Sequence, residues 1–394
     1  MKYSIKRIKI TLLLAFSAMM ILSSCNKSLE QFSGPAYVAP AGLALGDAIA
    51  AIPTDSLYYK LIVRGGLLAS INNKATTFTM FVPDNIAMRS FIDLISGGAT
   101  IGFTDPQYVG FINTAISASS AGSIVSYNMI PQSITMSSVP GTFPNWVYPT
   151  NLNPTSGAGF NPLVRLTTSP STRNGNWVNN VPLSAVNMAA ANGIIHTAAA
   201  VPVPPSKVLW QRIASDPDLT IFTAAISRAD SGVAPVSSAS LIWALSNFGP
   251  NLNVFAPSNL AFKQLISALT GGAIPVIAPD AVFIGFLGSN NVNTLTVKFI
   301  VVYHLMGARA FTNNFPTTPT SYPTLLNGGI PAHPGVSLTV TFTGGVVTAA
   351  TVKGVGNLSA SNIAINPFPD PFGTSDQHFI NGTLHKINQV LLPQ

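Results

Sequence analysis

Apolar residues with helical spacing follow a short apolar stretch at two places in the chain. In residues 85–97 the apolar positions are spaced i, i+3, i+4 and i+7, and residues 259–270 repeat that spacing. The positions are Met88, Phe91, Ile92 and Ile95 in the first segment and Phe262, Leu265, Ile266 and Leu269 in the second. Such a stripe predicts an amphipathic helix with one buried face. Asp84 and Ser258, directly before the segments, can cap the first N–H groups of each helix.

Other stretches predict further helices and a pair of strands. Helices are expected near residues 45–52, 57–70, 107–118, 217–229 and 294–301. Strict alternation in residues 338–343 predicts a strand with one apolar face. Gly344 and Gly345 then predict a turn into a second strand that runs through Val352. Helices mixed with a hairpin indicate an α+β fold.

The chain contains an internal repeat. Residues 81–85, Phe-Val-Pro-Asp-Asn, match residues 255–259, Phe-Ala-Pro-Ser-Asn, at an offset of 174. Tyr127-Asn128 matches Tyr303-His304 at an offset of 176, and an Asn-Gly-x-x-His block at residues 192–196 recurs at residues 381–385. Two copies of one domain therefore explain the length of 394 residues. We call residues 43–203 the first copy and residues 204–394 the second copy.

The offset between the copies grows along the chain. It is 176 at the tyrosines and 189 at the Asn-Gly-x-x-His blocks, so the second copy has 13 additional residues between these markers. We expect this insertion at residues 366–378, a stretch that contains prolines and aspartates.

These motifs, repeated in the same order, resemble the fasciclin-type adhesion domain, which occurs in tandem on extracellular proteins. The resemblance covers residues 43–203 and 204–394, and it implies an α+β fold of two wedge-shaped β-sandwich domains with packed helices. It also implies an adhesive function. The first copy has Asn128 where the family pattern has histidine.

We expect the motif residues to stabilise the fold. They are Pro83, Asn85, Tyr127, His196, Pro257, Asn259, Tyr303, His304 and His385. The motif histidines lie in apolar stretches that predict strands, where a histidine is more often a hydrogen-bonded core residue than a metal ligand. His333 and His378 lie in Pro- and Gly-rich stretches and are expected in solvated loops.

The N-terminus has the pattern of a secretory signal peptide. Four basic residues, Lys2, Lys6, Arg7 and Lys9, precede the uncharged stretch 10–22, which is too short to span a bilayer as a helix. Ser23 and Ser24 before Cys25, the only cysteine, resemble the bacterial lipobox, which implies an acylated Cys25 after removal of residues 1–24. Residues 25–42 then form a tether. The alternative is an ordinary signal peptide with an incidental cysteine.

The net charge does not indicate a nucleic-acid partner. The formal charge of +7 includes the four basic residues of the signal peptide, and without them 15 basic and 12 acidic residues leave +3. Lys207, Arg212 and Lys263 are scattered and not interleaved with aromatic residues.

The composition argues against an enzyme. Charged residues make up 8% of the chain, against about 25% in average domains. One cysteine excludes a disulfide framework, and twelve acidic residues with five histidines leave few groups for acid–base or metal chemistry. The chain has no G-x-S-x-G, P-loop or H-E-x-x-H motif. We therefore expect no catalytic activity, no bound metal and no cofactor.

Two tryptophans are candidates for contact with a sugar. Trp146 and Trp177 lie in polar, turn-rich stretches with neighbouring asparagines. An exposed indole can stack on a sugar ring while amides bind its hydroxyl groups, whereas an indole under a loop caps the core. Both interpretations stay open at this stage.

The sequence thus favours a surface lipoprotein that acts in adhesion or matrix binding. Its expected place is the bacterial cell envelope, where a lipid would anchor it in the outer membrane, exposed at the surface, and its expected partner is an extracellular protein or polysaccharide. Two other classes remain: a carbohydrate-capturing accessory lipoprotein, if Trp146 and Trp177 share an exposed face, and a structural spacer, if no apolar or aromatic patch is exposed.

Overall fold

Two pairs of parallel strands form the centre of the structure. In a computed structural model, which describes residues 38–154, 164–290, 292–368 and 373–394, strands Phe78–Pro83 and Gly193–Ala198 form one pair. Strands Leu252–Pro257 and Gly382–Ile387 form the other. Residues 41–394 make up one unit. The predicted signal peptide, Cys25 and residues 25–37 of the tether lie outside the described residues.

In each copy three α-helices, one strand and three further α-helices are followed by the remaining strands. The strands are β1 Phe78–Pro83, β2 Met129–Ile130, β3 Tyr148–Pro149, β4 Thr167–Thr168, β5 Pro170–Ser171, β6 Trp177–Val178, β7 Val181–Ala190, β8 Gly193–Ala198, β9 Leu252–Pro257, β10 Leu305–Met306, β11 Thr320–Tyr322, β12 Val336–Thr343, β13 Val346–Lys353, β14 Ser361–Asn362, β15 Gln377–Phe379 and β16 Gly382–Ile387. The helices are α1 Leu45–Ala50, α2 Ser56–Arg64, α3 Leu68–Ile71, α4 Asn85–Ile95, α5 Asp105–Thr114, α6 Ala118–Tyr127, α7 Leu209–Ser215, α8 Thr220–Ala229, α9 Leu241–Ser246, α10 Asn259–Leu269, α11 Asp280–Gly288 and α12 Thr294–Tyr303.

The sheets repeat one arrangement. The first copy has a sheet of order β2-β1-β8-β7-β6-β5 and the second a sheet of order β10-β9-β16-β15. In both, the strand that ends at the motif proline lies between an antiparallel two-residue strand and the parallel strand of the Asn-Gly-x-x-His block. The second copy adds the sheet β11-β12-β13-β14, and the first adds the pair β3-β4.

Alternate residues of the central strands face two different cores. In β1, Met80 and Val82 pack with the helices of the first copy, whereas Phe81 packs with Val178 and Ala198 on the other side. β9 follows the same pattern in the second copy. The period-2 alternation of a strand thus separates a helical layer from a strand layer in each copy. The α+β fold class is therefore confirmed.

The predicted amphipathic helices are confirmed as α4 and α10. Asp84 and Ser258 cap them by accepting the N–H groups of Ala87 and Ala261. The prediction of a single helix over residues 57–70 is wrong, because α2 ends at Arg64. Gly66, with a φ of 71°, then turns the chain before α3 begins. Among the described residues, the helices α6, α7, α9 and α11 were not predicted.

The predicted hairpin is confirmed, but the predicted insertion is partly wrong. β12 and β13 form the hairpin around Gly344 and Gly345, which both have positive φ. The pairing of Gln377 with Leu384 repeats that of Met188 with Ile195 at an offset of 189. Residues 377 and 378 are therefore already in register with the first copy, and the additional residues precede them.

Candidate functional site

The motif asparagine of each copy ties two helices together. Oδ1 of Asn85 accepts the N–H of Leu57 at 2.9 Å, and Nδ2 donates to the carbonyl of Pro53 at 3.1 Å and to Oγ of Ser56 at 3.0 Å. The second copy repeats the three bonds at 2.8 to 3.0 Å with Asn259, Ile221, Pro217 and Thr220. An amide at the start of α4 or α10 thus satisfies the orphan groups at the start of α2 or α8.

The side chain of the asparagine in the Asn-Gly-x-x-His block also bonds to the backbone of two separate segments. Oδ1 of Asn192 accepts the N–H of Leu45 at 2.8 Å, and Nδ2 donates to the carbonyl of Ile71 at 2.8 Å. Asn381 forms the matching bonds with Leu209 and Leu245 at 2.9 and 2.8 Å. Any side chain on the following glycine, Gly193 or Gly382, would collide with the neighbouring strand.

The last histidine of that block bridges a strand and a loop. Nδ1 of His196 accepts the N–H of Asn187 at 3.2 Å, so Nε2 carries the proton and donates to the carbonyl of Ile134 at 3.0 Å. The ring stacks on Phe81 with centroids 5.6 Å apart. In the second copy the equivalent set is His385, Asp376, Ala310 and Phe255. Burial lowers the pKa of His196 and of His385, which keeps both rings neutral near pH 7.

His304 was expected on a strand, and this is wrong, because it is the C-terminal cap of α12. Its Nδ1 donates to the carbonyl of Ile300 at 2.7 Å and its Nε2 accepts the N–H of Leu391 at 2.9 Å. Burial lowers its pKa to about 4. In the first copy the amide of Asn128 donates to the carbonyls of Ile124 and Pro202 at 2.9 and 3.0 Å. Each residue joins a helix end to the closing segment of its copy.

Pro83 and Pro257 end the two central strands. Each is the last residue of its parallel pair, opposite Ala198 in the first copy and Ile387 in the second. Since proline has no N–H, it ends the ladder without leaving a buried donor unpaired.

The two motif tyrosines differ in their partners. The hydroxyl of Tyr303 donates to the carbonyl of Gly335 at 2.6 Å and accepts the N–H of Val355 at 3.1 Å, both within the second copy. The hydroxyl of Tyr127 lies 3.0 Å from Nδ1 of His378, a residue of the other copy. Burial raises the pKa of both tyrosines.

The two remaining histidines are not solvated loop residues, which corrects the expectation from sequence. His333 is half-buried, with its Nε2 2.8 Å from the carbonyl of Pro393 and its ring edge-on to Tyr303. His378 lies on β15. Burial and the nearby guanidinium of Arg309 lower the pKa of His378 well below its usual value.

Trp146 and Trp177 do not share an exposed face. The side chain of Trp146 is 59% exposed, whereas Trp177 is 7% exposed and lies on β6 beside Phe342 of the second copy. Of the two interpretations of Trp177, the burial of its ring between the copies favours the structural one over contact with a sugar.

Trp146 follows a segment that is fixed to the second copy. The N–H of Asn145 donates to the carbonyl of Arg309 at 3.1 Å, and its Oδ1 accepts the N–H of Phe311 at 3.1 Å. The ring of Phe143 contacts Tyr322, with centroids 4.6 Å apart. The exposed indole is thus attached to a backbone that both copies hold in place.

Further contacts between the copies were not predicted. Nδ2 of Asn174 donates to the carbonyls of Asn313 and Phe315, both at 2.9 Å. Nδ2 of Asn313 donates to the carbonyl of Asn179 at 3.0 Å. The sequence signal for this junction was the set of asparagines in turn-rich stretches, whose amides bond to backbone groups of the other copy.

A buried arginine lies beside this junction. Arg309 is 1% exposed, and its guanidinium donates to Oδ1 of Asn251 and to the carbonyls of Phe379, Ile380 and Gly382 at 2.7 to 3.1 Å. Burial lowers its pKa to about 10. The side chain therefore stabilises β15, β16 and the turn between them through hydrogen bonds to their carbonyls.

The junction also contains a cavity of about 710 Å³. Its walls come from α4, from residues 179–182 and 199–207, and from β15 together with Pro367 and Phe368. None of the motif residues lines it. Within the described ranges no three His, Cys, Asp or Glu side chains are grouped so as to hold a metal ion. No helix in those ranges is both long and apolar enough to cross a bilayer.

Comparison with known proteins finds a family match in the first copy. Residues 56–204 match the Fasciclin domain family. The chain is also similar to the solved FAS1 domain pair of the insect cell adhesion molecule Fasciclin I, with 14% identity and a TM-score of 0.34 over 85% of this chain and 95% of that chain. No curated protein matches the chain. Since the second copy repeats the strand register and side-chain bonds of the first, both copies have a fasciclin-like fold.

Proposed function

We propose that this chain is a non-catalytic surface lipoprotein that acts in adhesion or matrix binding. The match of residues 56–204 to the Fasciclin domain family carries the proposal. The domain organisation proposed with it is a signal peptide at residues 1–24, a tether at 25–42, and fasciclin-like copies at 43–203 and 204–394.

The absence of a catalytic role is supported by how the motif side chains are used. His196, His304 and His385 are fully buried, and both ring nitrogens of each bond to backbone groups. A general base needs a nitrogen within reach of a substrate, and these have none to offer. This use of the motif histidines supports a binding function over a catalytic one.

The proposed location is the bacterial cell envelope, with acylated Cys25 in the outer membrane and the two copies exposed at the surface. Two or more acyl chains give stable attachment, whereas one is marginal. Cys25→Ala should release the protein from the membrane fraction and abolish incorporation of labelled fatty acid. If Cys25→Ala stayed in the membrane fraction and the wild type took up no labelled fatty acid, the proposed lipid anchor would be contradicted. The proposed adhesive function would not be affected by that result.

The binding partner is best tested with the chain from Asn26 onward, which retains residues 41–394. We expect it to bind at least one extracellular protein or polysaccharide on an array of matrix proteins and glycans. Because the mature chain carries only +3, binding should change little between low and physiological salt. Absence of binding to every target, with folded protein, would contradict adhesion.

A carbohydrate-capturing function is the second candidate, and the exposure of Trp146 favours it. Its indole offers a stacking surface that Asn145 fixes at the junction, so little entropy is lost on binding. Trp146→Ala should weaken polysaccharide binding without lowering the melting temperature, whereas Phe299→Ala, at another exposed ring, should not. Equal binding by both variants would remove this candidate. The spacer function is the third class, and it would require that no apolar or aromatic patch is exposed.

A further inference from the structure

The cavity between the copies has the size of a small-molecule site. Its volume of about 710 Å³ lies within the range of roughly 300–1,000 Å³ that is usual for such sites. The first copy lines it with α4 and residues 199–203, and the second copy with residues 204–207 and β15. Because both copies contribute, neither copy alone contains the complete site.

The walls of the cavity are mostly apolar. Its apolar lining includes Phe91, Leu94, Ile101, Val203 and Phe379. The side chains of Leu94, Ile101 and Val203 are 46%, 72% and 37% exposed, so an apolar body in the cavity would remove water-exposed apolar surface. This favours a ligand that is itself largely apolar.

The carboxylate of Asp93 on the wall is held in place through one of its two oxygens. Oδ1 of Asp93 accepts hydrogen bonds from the hydroxyls of Thr100 at 2.6 Å and Tyr108 at 2.9 Å. Its Oδ2 has no hydrogen-bond partner among the described residues. Since two bonds already hold the carboxylate, Oδ2 can accept a donor from a ligand without further loss of side-chain freedom.

The other ionisable groups on the wall are less suited to select a ligand. The oxygens of Asp376 accept the N–H and the hydroxyl of Thr312, and His378 is bonded to Tyr127. Lys207, on the linker between the copies, already takes part in another interaction. Asp93 therefore determines which polar group the cavity prefers.

We propose that this cavity binds a small, mostly apolar molecule that carries a hydrogen-bond donor, an ammonium or hydroxyl group, and that Asp93 excludes carboxylates. The apolar walls bind the body of the molecule and Oδ2 of Asp93 accepts its donor. In the second copy Ser267 stands at the place of Asp93. This site is independent of the proposed adhesive function.

The test uses three naphthalene compounds that differ in one group: 2-naphthylmethylammonium, 2-naphthalenemethanol and 2-naphthoate. Their fluorescence is titrated with the chain from Asn26 onward. The ammonium and the alcohol should bind, and naphthoate should bind at least about tenfold more weakly, because its carboxylate faces Asp93. Asp93→Asn, which can still accept from Thr100 and Tyr108, should remove most of this difference.

Two neighbouring residues of α4 distinguish the cavity from the general surface. Leu94→Gln should weaken binding of the ammonium and the alcohol several-fold, whereas Ile95→Gln, at a residue that is 49% exposed and is not on the cavity wall, should not. Trp146→Ala should have no effect, which separates this site from polysaccharide binding. The proposal is overturned if no compound binds, if naphthoate binds as tightly as the others, or if the two glutamine variants behave alike.

Discussion

The hydroxyl of Tyr127 lies 3.0 Å from Nδ1 of His378, so a motif residue of the first copy is bonded directly to the second. The same hydroxyl accepts from Nδ2 of Asn179 at 3.2 Å and donates to the carbonyl of Thr167 at 3.2 Å. Tyr303, its equivalent, bonds only within its own copy. The same position of the repeat therefore has two roles, and of the two tyrosines it is Tyr127 that contacts the other copy.

Removing this hydroxyl should weaken the junction selectively. Tyr127→Phe leaves Nδ2 of Asn179 and Nδ1 of His378 without their partner, and we expect a loss of about 1–3 kcal/mol in the free energy of unfolding. Tyr303→Phe is the matched control, with a similar loss but no effect between the copies. Hydrogen exchange at Asn313 and Phe315 should accelerate in Tyr127→Phe alone. Equal acceleration in both variants would show that the junction does not depend on Tyr127.

The motif asparagines should contribute to stability in both copies. Asn85→Ala or Asn259→Ala removes the three hydrogen bonds that the two copies share and leaves the N–H of Leu57 or Ile221 unpaired, so each should cost about 1–3 kcal/mol in a denaturant titration. Asn85→Asp keeps the acceptor for Leu57 and should cost less than Asn85→Ala. An alanine variant as stable as the wild type would contradict the stabilising role.

The buried histidines should make the protein sensitive to acid. The pKa of His304 is about 4 when folded, below its ordinary 6.5, so between these values the unfolded chain binds a proton that the folded chain does not. The stabilisation is fully present above pH 6.5 and is lost as the pH falls towards 4, by up to about 1.4 kcal/mol per pH unit. His196, His378 and His385 act in the same direction.

His304→Asn provides the check, because the first copy has an asparagine at this position. Between pH 6.5 and 4 the variant should lose less stability than the wild type. The slope of its unfolding free energy with pH should correspond to uptake of about one proton fewer on unfolding. Chemical unfolding at a series of pH values measures this. An unchanged slope would mean that His304 is protonated in the folded protein.

The sequence predicted elements with a regular pattern better than contacts between distant segments. The stripes of α4 and α10 and the alternation in β12 arise from local geometry, so they are readable in the chain. α6 is rich in serine and small residues and gave no such stripe. The burial of Trp177 depends on Phe342, 165 residues away, and no local pattern contains that information. The position of His378 and the cavity beside it could not be predicted either, because both depend on segments that are far apart in the sequence.

Asp55 breaks the symmetry of the repeat at a buried position. Ser56 and Thr220 are equivalent, because each accepts a hydrogen bond from the motif asparagine of its copy. Asp55, which precedes Ser56, is therefore equivalent to Leu219 of the second copy. Both side chains are completely buried. Oδ2 of Asp55 has no hydrogen-bond partner within the described part of the chain. Burial, opposed by the Thr54 hydroxyl and reinforced by Asp84, raises the pKa of Asp55 to about 6.

Asp55→Leu should therefore stabilise the protein, and more so at higher pH. Between the ordinary pKa of 3.8 and about 6 the folded state holds a proton that the unfolded state has lost, so ionisation of Asp55 lowers stability as the pH rises through this range. Above pH 6 the penalty is complete, at about 1–3 kcal/mol. Thermal unfolding at pH 8 and pH 4 should show a larger gain at pH 8. Asp55→Asn removes the charge but not the polarity, and should abolish the pH dependence with a smaller gain. A leucine variant that is less stable at pH 8 would mean that the carboxylate has a favourable partner there.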